Sequence, residues 1–314
     1  MVCRHHAFAG RQCLDPRTLF IKRSYSLREV VSQMQADNAT LYVVATPIGN
    51  LGDMVPRAVD ILQSVALIAA EDTRHSRRLL DHFNIPTRCV SYHDHSTEAE
   101  LAALLAHLQQ GQSVALISDA GTPLVSDPGY RLVDAVLSAG MRVVPIPGAS
   151  ALIAALSAAG LPTDRFAFEG FLPAKTAART QRLQSLVAET RTLVFYEAPH
   201  RLLETLQDMR EVCGAERVAV LARELTKLHE TIHRAPLDQM CDWVMADANQ
   251  QRGECVLMLH GALPGDDSAA EQERVLKILL EDLPLKQAAA LAARITGGKK
   301  NALYELALSW QVPG

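Results

Sequence analysis

The chain has 314 residues, of which 48% are hydrophobic, enough for two domains with ordinary cores. Its formal net charge of −4 rules out inferring a nucleic-acid partner from global charge, so any basic surface has to be local. Six cysteines at 3, 13, 89, 213, 241 and 255 form no C-x-x-C pair, which argues against a zinc knuckle or redox dithiol, and the longest apolar runs, such as VALIAA at 65–70, are far too short to span a bilayer.

Residues 1–37 differ from the rest. Arg4, Arg11, Arg17, Lys22, Arg23 and Arg28 face only Asp15, Glu29 and Asp37, with no strong period. An Arg-rich, acid-poor stretch fits an organelle transit peptide. The alternative is a disordered extension, or a start assigned too early with Met34 as the real first residue. The second reading is preferred, because strand-like sequence begins only at Thr40. With no clear secretory signal, reduced thiols and a cytoplasmic location are expected.

From Leu41 the pattern alternates. TLYVVAT (40–46), VALIAAED (65–72), CVSYHD (89–94), SVALISD (113–119) and RVVPIP (142–147) read as strands, with helical segments such as DMVPRAVDILQS and TEAELAALLAHLQQG between them. Strand, helix, strand at this spacing argues a parallel α/β sheet over 38–160. A boundary falls near GLPTDRF (160–166). RFAFEGFLP, TLVFYEAP (192–199), RVAVLAREL (217–225) and ECVLMLHG (254–261) then suggest a second α/β domain over 161–264. After Gly265 the chain turns acidic and helical. It closes with LKQAAALAARITGGKKNALYELALSW, two helical stretches around Gly297-Gly298, so 270–314 is expected to be a helical module.

In open α/β sheets, ligands collect at the carboxyl ends of the strands. The loops there are TPIGNLGD (46–53), EDTRH (71–75), SDAGTPLVSDPG (118–129) and PGAS (147–150), with FYEAPHRL (195–202) and ARELTK (222–227) in the second half. TPIGNLGD is neither G-x-G-x-x-G nor a Walker loop, so it supports no nicotinamide or nucleotide fingerprint. Its Gly49 would allow close approach of a ligand; the plain alternative is a turn. SDAGTPLVSDPG holds two near copies of one tetrad, and turn propensity alone explains either copy singly. Two acids in a loop leaving a buried strand suit ribose hydroxyls or a cation and disfavour a phosphate. His93-Asp94-His95 lacks the further His or Cys that would complete a zinc set, so no metal is expected. No G-x-S-x-G elbow is present, which leaves hydrolase chemistry little support.

LYVVATPIGNLGDM, IAAEDTRHSRRLL, SDAGTPLVSDPGYRLV, GLPTDRFAFEGFLPAK, TLVFYEAPHRL, LARELTKLHETIH and the closing KKNALYELAL together resemble the bacterial small-subunit ribosomal RNA 2′-O-methyltransferases of the tetrapyrrole-methylase (class III) superfamily. The resemblance runs from about Thr40 to Trp310. It implies two α/β domains with S-adenosylmethionine in the cleft between them, a small C-terminal helical module and a homodimer. The implied acceptor is the ribose 2′-hydroxyl of a cytidine in the decoding region of 16S ribosomal RNA, within the small ribosomal subunit. It also implies that Asp119, Ala120, Gly121 and Thr122 pack against the cofactor. Pro47, Ile48 and Gly49, together with Tyr196, Leu221 and Ala222, close around it, and Ser126, Asp127 and Pro128 join the same site.

Transfer of a methyl group to an alcohol needs the reactants held in line and a base for the hydroxyl proton. Glu71, Asp72, Glu197 and Glu224 are the candidate bases, and Arg74, Arg223 and Lys227 the candidates to hold flanking phosphates. The alternative for each is a structural ion pair beside a ligand site. RNA contact needs local positive charge. Lys175, Arg179 and Arg182 at i, i+4, i+7 would share one helical face, and Lys286, Arg294, Lys299 and Lys300 sit in a stretch with no acid from 283 to 301. Helix, Gly-Gly, helix there is similar to a helix-turn-helix. The rivals are a small-molecule (tetrapyrrole) methyltransferase of the same superfamily, which would not need these basic faces, and a non-catalytic ribosome-binding protein.

Overall fold

A computed structural model describes residues 39–263 and 266–310; the 1–37 extension lies outside the described residues. The first half is a five-stranded, fully parallel sheet in the order β3-β2-β4-β1-β5. Its strands are β1 (Thr40–Val44), β2 (Leu67–Ala70), β3 (Cys89–Ser91), β4 (Val114–Ile117) and β5 (Arg142–Ile146). LIAA and VALI are buried along their whole length, as expected of inner strands covered by helices on both faces. The covering helices are α1 (Pro56–Ser64), α2 (Thr73–His82), α3 (Glu98–Gln109) and α4 (Tyr130–Ser138). α1 opens with Pro56, whose fixed φ suits a first turn. α2 is capped by the Asp72 side chain, and α3 by a reciprocal Thr97–Glu100 capping box.

The second half departs from the parallel pattern. Its sheet runs β6-β7-β10-β8-β9, with β6 (Phe166–Phe171) parallel to β7 (Thr192–Glu197). β10 (Cys255–Leu259) lies antiparallel between β7 and β8 (Val218–Arg223), and β8 pairs antiparallel with β9 (Thr231–Pro236). β9 was not visible as a strand in the sequence. TIHRAP carries Arg234 and ends in Pro236, a composition tolerated at the sheet edge where this strand sits. α6 (Thr176–Leu186), α7 (Leu202–Cys213) and α8 (Leu237–Ala246) cover one face.

α5 (Ala151–Ala158) joins the halves. Its Leu152, Ala155 and Leu156 pack with Val194, Val220, Val256 and Met258 of the second sheet and with Ile48 of the first-lobe loop. This apolar junction fixes the carboxyl end of the first sheet against the second. After it, α9 (Asp266–Asp282), α10 (Leu285–Thr296) and α11 (Lys300–Ser309) form a separate bundle cored by Leu276, Ala288, Ala292 and Leu303. Gly297 ends α10 in the left-handed region, at φ 72°.

Candidate active site

β1 and β4 are neighbours, so their following loops emerge side by side. Thr46 and Gly121 bind each other through their backbones: Thr46 N–H donates to the Gly121 carbonyl at 2.8 Å, and Gly121 N–H returns the bond at 3.0 Å. The Thr46 hydroxyl donates to the Ser118 carbonyl at 3.3 Å. Gly121 sits at φ 87°, and a Cβ there would come within 3.3 Å of Ile48 Cγ2. Gly129, at φ 132°, has no room either; its Cβ would meet Leu116 Cδ2 at 2.7 Å. The two glycines of the doubled tetrad are thus explained by backbone conformation and close packing.

The loop is also strained. Leu124 and Ser126 have φ of 73° and 63°, and Glu224 and Thr226, in the ARELTK loop of the other lobe, have φ of 51° and 68°. Four of the six described non-glycine residues with positive φ lie in these two loops, and such outliers cluster at ligand sites.

β2 and β4 are neighbours as well, which brings Glu71 beside Asp119. Asp119 N–H donates to Glu71 Oε2 at 3.4 Å, and Asp72 N–H donates to Asp119 Oδ1 at 3.1 Å. The Glu71 carboxylate thus braces the Asp119 backbone, and the Asp119 carboxylate braces the backbone of Asp72. Burial pushes the Glu71 carboxyl above its usual range; the Asp119 N–H opposes this, and the charges of Asp119, Asp127 and Asp94 add to it. Burial likewise raises the Asp127 carboxyl, and nearby Asp119 reinforces it.

These groups line a cavity of about 430 Å³ at the junction of the lobes, within the range of ~300–1,000 Å³ usual for small-molecule sites. Glu71, Asp119 and Asp127 supply its unpaired charge, and Glu197 and Glu254 line it as members of ion pairs. Ile48, Val125, Ala151, Ala222, Leu225 and Val256 supply apolar surface, and Phe171 and Tyr196 supply rings. The Tyr196 hydroxyl accepts from Leu152 N–H at 3.3 Å. Thr122 Oγ1 donates to the Ala149 carbonyl at 3.0 Å, tying the PGAS loop to the same wall. Cys255 also lines the cavity, but burial pushes its thiol up to about 12, so it is no nucleophile at neutral pH.

Of the residues expected to hold the cofactor, the cavity gathers Ile48, Asp119, Ala120, Gly121, Thr122, Asp127, Tyr196 and Ala222. Pro47, Gly49, Ser126, Pro128 and Leu221 are not among its lining residues. Leu221 faces the other side of its sheet, in the core under α6–α8. Gly49 is itself exposed, but a Cβ there would meet Lys227 Cγ at 2.5 Å, so its glycine admits a lysine stem from the other lobe. Val125, Ser150, Ala151, Phe171 and Glu254 line the cavity without having been singled out in the sequence.

The candidate bases separate. Asp72 spends its carboxylate capping α2, accepting from Arg74 and His75 N–H. Glu197 lines the cavity but its buried carboxylate pairs with Arg201 and accepts from the Thr205 hydroxyl at 2.7 Å. Glu224 is paired with Lys227 at 2.8 Å. Glu71 is the candidate left facing the cavity without a cationic partner among the described residues.

The basic expectations need correction. Arg179 is only 1% exposed; its Nε lies 2.5 Å from Asp208 Oδ2 and its Nη2 3.6 Å from Glu204 Oε2. It is an internal strut between α6 and α7, and Arg182 is paired with Glu169, so Lys175, Arg179 and Arg182 do not form one free basic face. Arg223 is buried and donates to Gln250 Oε1, the Arg252 and His229 carbonyls and Thr231 Oγ1. Lys227 bridges Glu224 and Glu254 at 2.8 Å each. Neither is free to grip a phosphate. Arg74 is 91% exposed on α2 with only a 3.5 Å surface pair to Asp72, and Lys299 and Lys300 are exposed at the start of α11.

A family model described as Tetrapyrrole (Corrin/Porphyrin) Methylases matches residues 40–241, and one described as RsmI C-terminal HTH domain matches residues 266–311. A Pseudomonas aeruginosa protein named ribosomal RNA small subunit methyltransferase I is 62% identical, over 87% of this chain and 98% of its own length. An Escherichia coli O157:H7 protein of the same name is 55% identical, over 88% and 98%. Among solved structures, a cobalt precorrin-4 methyltransferase superposes with a TM-score of 0.54 at 15% identity, over 71% of this chain and 95% of that one. A diphthine synthase does so with the same score at 14% identity, over 72% and 91%. At such identities the structural likeness is one of fold.

Proposed function

The chain belongs to the tetrapyrrole (corrin/porphyrin) methylase family, and from that premise we propose that it is an S-adenosylmethionine-dependent methyltransferase of small-subunit ribosomal RNA. The fold neighbours include enzymes of other substrates, so the acceptor does not follow from the fold. The ribosomal reading rests on the relatives at 62% and 55% identity, whose names specify that RNA. The finer reading, a cytidine ribose 2′-hydroxyl of the decoding region, is the one the sequence resemblance implies.

The observation that carries the reading is the charge of the cavity. Glu71, Asp119 and Asp127 face it without an ion-pair partner, Glu197 and Glu254 line it as paired carboxylates, and among the described residues no lysine or arginine lines it. The three unpaired carboxylates repel a phosphate and suit a cationic sulfonium and ribose hydroxyls. S-adenosylmethionine, when bound, supplies an electrophilic methyl group on a good leaving group. The chain's residues then have three tasks. Asp119 accepts hydrogen bonds from ribose hydroxyls at the end of β4. The apolar lining, Ile48, Val125, Leu225 and Val256, excludes water, and the braced β2 and β4 ends hold the reacting groups in line. Glu71 takes the proton of the acceptor hydroxyl, a role its upward-shifted carboxyl favours and one worth typically ~10²–10⁴ in rate. Arg74 and the Lys299-Lys300 pair provide surface charge for the RNA backbone. The reading places the chain in the cytoplasm with the small ribosomal subunit, as a homodimer. Mass mapping of ribosomal RNA from a strain lacking the gene tests it: loss of one 2′-O-methylcytidine in the small-subunit RNA supports it, and an unaltered modification map rejects it.

A further inference from the structure

One ring at the cavity has no role in the account above. Phe171 lines the cavity and is nevertheless 55% exposed, so it stands at the mouth. Period-two alternation along β6 would not put it there. From Ala167, which packs into the core under α6–α8, strict alternation sends residue 171 to that same buried side. The structure breaks the alternation. Phe168 pairs with Val194, Gly170 with Phe195 and Phe171 with Tyr196, so the register shifts by one residue between Phe168 and Gly170.

This is a β-bulge, and a bulge re-aims the side chains that follow it. Phe171 is turned onto the Tyr196 side, while Leu172 returns to the core. Gly170 takes φ +64°, a conformation that side chains rarely adopt, so the re-aiming depends on glycine. Gly170 also faces the doubled-tetrad loop: a Cβ on it would lie 3.5 Å from Ser126 Oγ. The ring is held by an aromatic stack of its own. Tyr196 meets Phe171 edge-on at 5.8 Å and Phe168 at 4.9 Å, and its hydroxyl is fixed by Leu152 N–H. A backbone irregularity thus sets a braced, half-exposed ring at the entrance to a cavity that contains Glu71.

We propose that Phe171 is the stacking platform for the nucleobase of the acceptor nucleotide. The inference rests on the RNA-methylation reading above. A ribose hydroxyl reaches a recessed base only if its nucleotide leaves its neighbours in the strand, and splayed bases are held on aromatic faces. An uncharged ring stacks on any base, so Phe171 positions the nucleotide, and contacts elsewhere discriminate its identity.

The test uses the full chain with Phe171→Leu, which keeps apolar volume without a ring, and Phe171→Trp, which enlarges the ring. S-adenosylmethionine affinity is measured by titration calorimetry, and methylation kinetics with small ribosomal subunits lacking the modification. Phe171→Leu should leave cofactor affinity unchanged and lower kcat/KM for the subunit about tenfold, in line with the loss of one stacked base. Phe171→Trp should restore kcat/KM, and its indole emission should be quenched when subunits bind. Wild-type kcat/KM in Phe171→Leu, or a cofactor affinity that falls as far as kcat/KM, overturns the proposal; the second result would make the ring part of the cofactor pocket. Absence of quenching in Phe171→Trp overturns it independently of how the leucine variant folds. If the wild-type chain methylates no subunit, it is the functional reading that fails, whereas an active wild type with an indifferent leucine variant sinks this inference alone.

Discussion

Arg179→Ala separates a structural cation from an RNA-binding one. The native guanidinium is 1% exposed and pairs with Asp208, itself 13% exposed, while also donating to the Ala174 carbonyl at 3.3 Å. Truncation leaves a mostly buried carboxylate without its partner. Breaking a buried pair from one side costs about 3–5 kcal/mol. Water can reach the edge of Asp208, and Glu204, at 67%, is already solvated. The lower end therefore applies: about 3 kcal/mol, or roughly a hundredfold in the folded-to-unfolded ratio. Arg182→Ala is the control. Its pair with Glu169 is half exposed on the arginine side, which puts its loss near ~0.2–1 kcal/mol. Urea denaturation followed by Trp243 fluorescence reads both, because Trp243 packs on the same core and stacks on His233 at 4.1 Å. The expected outcome is a clearly lowered midpoint for Arg179→Ala and a nearly native one for Arg182→Ala. An Arg179→Ala protein with a native midpoint and a several-fold loss of RNA affinity would refute the reasoning, since the side chain would then be working at the surface.

Three further predictions follow from the site and the surface. Asp119→Ala should weaken S-adenosylmethionine binding about tenfold or more through loss of charge-assisted hydrogen bonds, with a cooperative unfolding transition retained; unchanged affinity by calorimetry would remove Asp119 from the cofactor site. Glu71→Gln should lower kcat by ~10²–10⁴ and abolish the acidic limb of its pH profile. In the wild type that limb should sit above the ordinary carboxylate range, because burial raises the folded pKa. The same sign means that above this pKa the ionised group penalises the folded state, so at neutral pH Glu71→Gln should unfold at no lower temperature than wild type, and a destabilised variant would contradict the assignment. Lys299→Ala with Lys300→Ala should flatten the salt dependence of RNA affinity by roughly 1.5 units of slope while sparing cofactor binding, and parallel slopes would show that the bundle only solvates these lysines.

What the sequence made legible follows from local chemistry. Short apolar runs ending in Ser-Asp-x-Gly or Thr-Pro-x-Gly mark buried strands with turns at their carboxyl ends, and those turns do meet across β1 and β4. The acids of EDTRH and SDAG converge because β2 and β4 pair in parallel. Arg179 was misread because i, i+4, i+7 spacing does not say which way a face points. Leu183 and Leu186 continue from Arg179 on the buried stripe of α6, and Glu204 and Asp208, four apart on α7, are the matching acids. That pairing was the available signal. Lys227 over Gly49 is a contact between lobes, 178 positions apart in number, and no local pattern encodes it. Phe171 stayed hidden because alternation points it inward; only the glycine before it hinted at a bulge.

The central claim, methyl transfer to small-subunit ribosomal RNA from a cofactor held by Asp119 and its neighbours, is met most directly by reconstitution. The purified chain is incubated with S-adenosylmethionine carrying a labelled methyl group and with small ribosomal subunits from a strain lacking the gene, and the labelled nucleotide is located by nuclease mapping. The account expects label in a single 2′-O-methylcytidine, lost with Asp119→Ala. A chain that binds the cofactor yet leaves the RNA unlabelled, or places the label on a base carbon or nitrogen, would contradict it.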